Sequence, residues 1–235
     1  MKELKVRLLV IIPAFNEEAS IGGVIASVRR HAPEADIVVV NDGSSDATAD
    51  VAGRAGATVL SHLYNMGIGA TMQTGYKYAG RYGYDVAVQV DGDGQHPAES
   101  IRFLVDTLVK NGADLVVGSR FLGEGDYKPS FARSTGMAIF SRVVSAVIKV
   151  KVTDTTSGFR AAGKRCIDFF SSRYPDDYPE VEALVLLHKK GFSIMEVPVT
   201  MSERASGRSS ITPVKSVYYM VKVLLAIFVD LLKRV

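Results

Sequence analysis

Four short apolar runs, Leu8 to Ile12, Ile37 to Val40, Val86 to Val90 and Leu115 to Val117, alternate with helix-period stretches such as Ile21 to Arg30 and Ile101 to Lys110. Runs this short and this rich in Val and Ile fit strands buried on both faces, and strands separated by helices cross over and return parallel. The chain therefore reads as α/β, a mainly parallel sheet flanked by helices. At 235 residues it forms one domain, or one domain with a tail, and at that size a fold buries roughly 70% of its chain surface.

Ligands of such sheets bind beyond the carboxyl ends of the strands. The segments there are acid- and amide-rich: Pro13-Ala14-Phe15-Asn16-Glu17-Glu18 after the first run, Asn41-Asp42-Gly43-Ser44-Ser45-Asp46 after the second, and Asp91-Gly92-Asp93-Gly94-Gln95-His96 after the third. Asp91 and Asp93 deliver two carboxylates to one edge. Hard cations such as Mg²⁺ or Mn²⁺ are held by one or two carboxylates plus phosphate oxygens of a substrate, so the pair points to a metal-diphosphate site. Asp-Gly pairs are also common turns, which leaves a solvated loop open. A calcium loop of the EF-hand kind is excluded, because Gln95, His96 and Arg102 stand where Asp or Asn, Gly and Glu are needed. Zinc lacks a Cys or a second His at ligand spacing near His96.

Ser44 or Ser45 is expected to cap the following Ala-rich helix. Asp42, directly at a strand end, is then free to accept from a base or ribose hydroxyl. Gly67-Ile68-Gly69 falls short of a dinucleotide fingerprint, since Met72 occupies the third glycine position, and no GxxxxGK[ST] loop occurs. The segment from Asn65 to Ala70 instead predicts a tight turn opening a helix, whose first N–H groups suit an anion.

The segments PAFNEE, NDGSSD, NMGIGA, DGDGQHP and GSRF, taken in that order, carry more than any one of them. In that order the chain resembles the family 2 glycosyltransferases of the GT-A fold, from about Val10 to Ser210. It is nearest to the branch that holds dolichyl-phosphate mannose synthases and bacterial polyprenyl-phosphate glucosyltransferases. The resemblance implies that Pro13, Phe15, Glu17 and Asp42 surround the nucleotide base and ribose. Asp91 would lie near ribose and diphosphate, and Asp91, Asp93 and Gln95 would hold Mg²⁺ or Mn²⁺. Arg120 matches an arginine near the donor or acceptor phosphate, and Arg133 a second one. Val152 to Arg160, with Asp154, is similar to the stretch that borders the acceptor pocket. Glu203 to Ser210 resembles a loop that closes over the diphosphate. Arg204 and Arg208 suit that loop, because guanidinium forks match phosphate oxygens bidentately. Ser210 stands where dolichyl-phosphate mannose synthases commonly carry Lys, which leaves the donor open.

A hydroxyl acceptor must lose a proton, whereas a phosphate monoester with a second pKa of about 6 is already largely dianionic at neutral pH. A phosphate acceptor therefore needs arginines more than a base. Asp177, Glu180 and Glu182, in and before the helix running to Lys189, are the acceptor-side acids; the helix dipole also favours acids there. A single displacement, as the resemblance implies, inverts the anomeric centre.

The tail, Ile211 to Val235, predicts a helix with Thr212 as cap and Pro213 in its first turn. Its apolar run, Val223 to Val229, is closed by Lys222 and Asp230. At about 100° per residue, Lys215, Lys222, Asp230 and Lys233 fall within roughly 80° of arc. A spanning helix needs about 20 mostly apolar residues, so this one fits the membrane interface better. The alternatives are packing on the catalytic domain, on a second copy as a homodimer, or on an integral-membrane partner.

The net charge of +3 and the lack of basic blocks with interleaved aromatics argue against nucleic acid. The single cysteine, Cys166, cannot form an internal disulfide, and the N-terminus turns polar too soon for a signal peptide, so a reducing cytoplasm is expected. The sequence thus predicts a GT-A catalytic domain over 1–210 and an amphipathic helix over 211–235. The expected activity is an inverting, metal-dependent hexosyl transfer from a UDP- or GDP-sugar to polyprenyl phosphate, peripheral at the inner face of the cell membrane. Extension of a surface polysaccharide or lipid-linked glycan at a sugar hydroxyl is the alternative. More remote are a sugar-phosphate nucleotidyltransferase, which would need a Gly-rich Lys/Arg loop after the first strand, and a non-catalytic nucleotide-sugar-binding protein.

Overall fold

The computed structural model describes residues 6–122, 141–146, 152–176 and 179–201. Within them the order is β1 (Leu8–Ala14), α1 (Ile21–His31), β2 (Asp36–Asn41), α2 (Thr48–Arg54), β3 (Thr58–Ser61), α3 (Ile68–Tyr82), β4 (Val86–Gln89), α4 (Ile101–Asn111), β5 (Leu115–Ser119), β6 (Arg160–Gly163), α5 (Lys164–Ser172), α6 (Pro179–Lys189) and β7 (Ile194–Pro198). A short 3-10 turn, Ala98–Ser100, leads into α4. The seven strands form one sheet in the order β3-β2-β1-β4-β6-β5-β7. Every pairing is parallel except those of β6, which runs antiparallel between β4 and β5.

The apolar runs are continuous because both faces of the sheet are covered. In β1, Leu9 and Ile11 point to the face covered by α3, α5 and α6, where they join Met72, Tyr76, Ile167, Phe170 and Leu184. Leu8, Val10 and Ile12 point to the opposite face with Ile21, Ile25, Val28, Ile101 and Leu104 of α1 and α4. This period of two on a helix-clad sheet is the predicted α/β architecture.

The chain winds from β1 outward through β2 to β3, then returns to build β4 on the other side of β1. That reversal opens a crevice between the carboxyl ends of β1 and β4, where open α/β sheets bind ligands. Because β6 is antiparallel, its first residue, Arg160, lies at this same edge, paired with Gln89. Among the described residues no helix is long and apolar enough to cross a membrane. The tail helix expected over 211–235 lies outside the described residues, as do Arg133, Asp177, Arg204 and Arg208.

Candidate active site

The loops after β1 and β2 are stitched into one surface. Asn16, the one non-glycine residue with positive φ among the described residues (55°), donates its backbone N–H to Ser44 Oγ at 2.9 Å. Its side-chain oxygen accepts the Ser45 N–H at 2.9 Å. The Glu17 N–H reaches Thr48 Oγ1 at 2.8 Å, and Glu17 Oε2 accepts the Ser20 hydroxyl at 2.7 Å. Ser44 and Ser45 therefore serve the β1 loop rather than cap α2. The free amides at the start of α2 go elsewhere: Ala47 N–H to Glu18 Oε2 and Thr48 N–H to Asp46 Oδ1. Phe15 stays 46% exposed on this rim.

Asp42 departs from the sequence expectation of a free acceptor. It is buried, and its carboxylate accepts Met66 N–H at 2.9 Å on Oδ1 and Gly67 N–H at 2.8 Å on Oδ2. His62 Nδ1 lies 2.8 Å from Oδ1, and His62 Nε2 lies 3.0 Å from Thr74 Oγ1. Asp42 thus holds the turn just before α3 through the Met66 and Gly67 amides, ahead of the helix's own first N–H groups. Gly69, in the first turn of α3, answers a different need. A Cβ there would stand 2.4 Å from the Pro175 carbonyl oxygen, so the glycine lets the segment before α6 close onto the N-terminal end of α3.

Beyond β4 the chain makes a tight turn in which Asp93 Oδ1 accepts the Gln95 N–H at 3.0 Å. Asp93 is buried, whereas the Asp91 side chain is 38% exposed. Gln89 Nε2 donates to Asp91 Oδ1 at 3.2 Å. His96 Nδ1 accepts the Asp91 backbone N–H at 3.0 Å, which puts the proton of a neutral ring on Nε2, 3.5 Å from Asp91 Oδ2. The buried His96 ring packs against Phe159 with centroids 5.1 Å apart. Gly92 rests on the β1 loop, where a Cβ would lie 3.1 Å from the Pro13 carbonyl oxygen and 3.6 Å from Glu17 Cγ. The fold thereby brings Pro13, Glu17, Asp91, Asp93 and Gln95 to one crevice. Among the described residues no three His, Cys, Asp or Glu side chains gather as a protein-only metal cage. Two carboxylates beside an amide suit a hard divalent ion that completes its shell with substrate phosphate oxygens and water.

Across the crevice, Arg120 and Asp154 form a bidentate pair. Arg120 Nε and Nη2 donate to Asp154 Oδ2 and Oδ1, each at 2.7 Å, and Nη2 also reaches Thr156 Oγ1 at 2.9 Å. Asp154, expected at the acceptor pocket in its own right, is buried and holds Arg120 with both oxygens. The carboxylate behind this pair is Glu196 of β7, which accepts the Thr153 and Asp154 N–H groups at 2.7 and 2.8 Å. Burial pushes the Glu196 carboxyl up, against the pull of those amides. Arg160 is 2% exposed, with Nε 2.7 Å from the Ser157 carbonyl oxygen. Glu180 and Glu182 both lie in the first turn of α6. Burial pushes the Glu180 carboxyl up, the Arg160 charge opposes this and the Asp91 charge adds to it. Sequence reasoning missed Glu196 and His62, and named Arg160 only as the last residue of the stretch likened to the acceptor-pocket border; only an acid inside an otherwise apolar strand marked Glu196 beforehand.

Residues 9–168 match the family model described as Glycosyl transferase family 2. Among relatives, polyprenol monophosphomannose synthase of Mycolicibacterium smegmatis is 30% identical over 88% of this chain and 81% of its own length. Undecaprenyl-phosphate mannosyltransferase of Micrococcus luteus is 31% identical over 88% of each. Among solved structures, glucosyl-3-phosphoglycerate synthase of Mycobacterium tuberculosis, in a complex with Mn²⁺, UDP and phosphoglyceric acid, superposes with a TM-score of 0.72 at 22% identity, over 96% of this chain and 78% of that one. Mannosyl-3-phosphoglycerate synthase of Rubrobacter xylanophilus gives 0.72 at 19% identity, over 98% of this chain and 75% of its own. With these matches and a switch-point crevice carrying the paired aspartates, the chain belongs to glycosyl transferase family 2.

Proposed function

We propose that the protein is an inverting, metal-assisted hexosyltransferase that moves a sugar from a nucleoside-diphosphate donor to polyprenyl phosphate at the cytoplasmic face of a membrane. The observation that carries this reading is the turn after β4. There Asp91 and Asp93 stand in the crevice beside the β1 loop, with Gly92 against Pro13 and Glu17. The printed names of the relatives from Mycolicibacterium and Micrococcus support the polyprenyl-phosphate acceptor.

Pro13, the exposed Phe15 ring and Glu17 form the wall for base and ribose. Asp42 acts from behind, holding the Met66-Gly67 turn that closes that wall. A Mg²⁺ or Mn²⁺ ion held by Asp91, Asp93 and Gln95 would supply Lewis-acid stabilisation of the departing diphosphate. Arg120 presents a fixed guanidinium to the acceptor phosphate, with Arg133, Arg204 and Arg208 as further phosphate partners. A dianionic phosphate oxygen needs no base to attack, so one displacement inverts the anomeric carbon.

Glu180 favours a second reading. A half-buried carboxyl raised by burial, with the Asp91 charge adding to the rise, is suited to take a proton from a sugar hydroxyl, as glycan extension requires. The deciding experiment measures nucleoside diphosphate release from a panel of UDP- and GDP-sugars with Mg²⁺ or Mn²⁺ and detergent-solubilised polyprenyl phosphate. Release that depends on lipid phosphate and metal supports the main reading and names the donor. Donor binding without lipid-dependent release sinks it and favours the hydroxyl acceptor.

A further inference from the structure

We propose that Glu196, a carboxylate of β7, is a positioning residue for the acceptor phosphate: it fixes the Thr153-Asp154 peptide from which Arg120 is held. The proposal rests on Arg120 being the acceptor-phosphate cation, as read above.

Glu196 sits beside Val117 in the β5–β7 register, with Arg120 just past the end of β5. Its Oε1 accepts the Asp154 N–H at 2.8 Å, and its Oε2 accepts the Thr153 N–H at 2.7 Å and the Thr153 hydroxyl at 3.0 Å. Three donors converging on two oxygens match an ionised carboxylate and fix the 153–154 peptide in position and rotation. Thr153 Oγ1 in turn lies 2.7 Å from Ser119 Oγ, which accepts the Phe121 N–H at 3.2 Å. The same strand end that carries Arg120 is therefore tied to Glu196 from both sides.

From the fixed peptide, Asp154 reaches out to Arg120 by three bonds, to its backbone N–H at 3.1 Å and to Nε and Nη2 at 2.7 Å each. An arginine held in this way has lost its rotamer freedom on folding, so a phosphate that approaches through Nη1 meets a positioned guanidinium rather than a mobile side chain. Glu196 touches Arg120 only through Asp154. Its effect should therefore fall on acceptor affinity and leave alone the donor wall on the β1 loop, which β4 and β6 separate from β5.

The test compares Glu196→Gln, Arg120→Lys and the double variant. Glu196→Gln keeps the shape but turns an N–H donor toward one of the two backbone donors. Glu196→Asp keeps the charge and serves as the milder variant should Glu196→Gln fold poorly by thermal unfolding. In Glu196→Gln the KM for polyprenyl phosphate is expected to rise about tenfold, with donor affinity by calorimetry unchanged, and the double variant to be no worse than Arg120→Lys alone. An unchanged acceptor KM in Glu196→Gln, or effects that multiply in the double variant, overturns the proposal. If Arg120→Lys itself leaves acceptor KM unchanged, the phosphate role of Arg120 has failed and the proposal with it. If the native protein shows no lipid-phosphate turnover at all, the functional reading has failed separately. The ¹⁵N signal of the Arg120 side-chain Nε–H, absent in Arg120→Lys, then reads the link alone: its loss to water exchange in Glu196→Gln supports the link, and an unchanged signal overturns it.

Discussion

Gly158 lies flat against Asp91: a Cβ at 158 would stand 2.8 Å from Gln89 Nε2 and 3.4 and 3.5 Å from the two Asp91 carboxylate oxygens. The absence of a side chain is what lets the 152–160 segment press on a carboxylate of the candidate metal turn. Gly158→Ala should push Gln89 off Asp91, with an overpacking cost of about 1–3 kcal/mol. Metal-dependent donor binding should weaken more than stability alone explains. Calorimetry with UDP- or GDP-sugar and Mn²⁺, set beside a denaturant titration, checks this.

Asp93→Asn separates the charge of Asp93 from its turn. An amide oxygen at this position still accepts the Gln95 N–H that Asp93 Oδ1 accepts at 3.0 Å, so the loop should hold. What disappears is one negative charge at the proposed ion. Turnover at saturating donor should fall by about 100-fold or more, equivalent to ~3 kcal/mol of transition-state stabilisation. Thermal unfolding of the metal-free variant reports separately on the fold. A variant that keeps full metal-dependent turnover would remove Asp93 from the site.

The legible part of the molecule is the part where sequence neighbours do the work. Buried runs such as Leu8 to Ile12 announce β1 because both faces are covered by helices, and Asp42 and Asp91 are readable because each stands within two residues of the end of an apolar run. β6 was not legible, since Arg160-Ala161-Ala162-Gly163 has no β-branched residue and becomes a strand only because β4 and β5 leave a slot for it. β7 hides for a similar reason, with Glu196 and Pro198 inside five residues. Roles set by distant partners were equally hidden. Glu196 meets Thr153 across 43 positions and His62 meets Asp42 across 20, and nothing local to either residue encodes the meeting. Asp42 and Asp154 were expected at the site, but their engagement with Gly67 and Arg120 could be seen only once the fold was in place.

Asp42→Asn tests whether Asp42 acts on the donor directly or through the turn. An amide presents N–H to at least one of Met66 N–H, Gly67 N–H and His62 Nδ1, all of which approach the carboxylate within 2.9 Å. Leaving one buried donor unsatisfied costs about 1–3 kcal/mol. If Asp42 works through the Met66-Gly67 turn, stability and donor affinity should drop together. Loss of donor affinity with stability unchanged would instead mean direct contact with base or ribose. Denaturant midpoints and donor titrations on the same preparations decide between them.

Glu180 makes the stability of the protein depend on pH in a defined direction. Burial raises its carboxyl above the ordinary 4.5, the Asp91 charge raises it further, and Arg160 opposes both. A carboxyl whose pKa is higher in the folded than in the unfolded chain binds its proton more tightly when folded. Its contribution is therefore complete below about pH 4.5 and is lost as pH rises through the folded value. Glu180→Gln removes the titration while keeping a neutral side chain of the same shape, so the variant should gain on the native protein as pH rises from 4 to 8. Denaturant stability at closely spaced pH values would reveal that widening gap, and parallel curves would show that Glu180 titrates alike in both states. The same variant divides the two functional readings. With polyprenyl phosphate as acceptor, turnover at pH 7 should survive it within about threefold, because the attacking oxygen brings no proton to remove; with a sugar hydroxyl as acceptor, loss of a general base should cost about 100-fold or more.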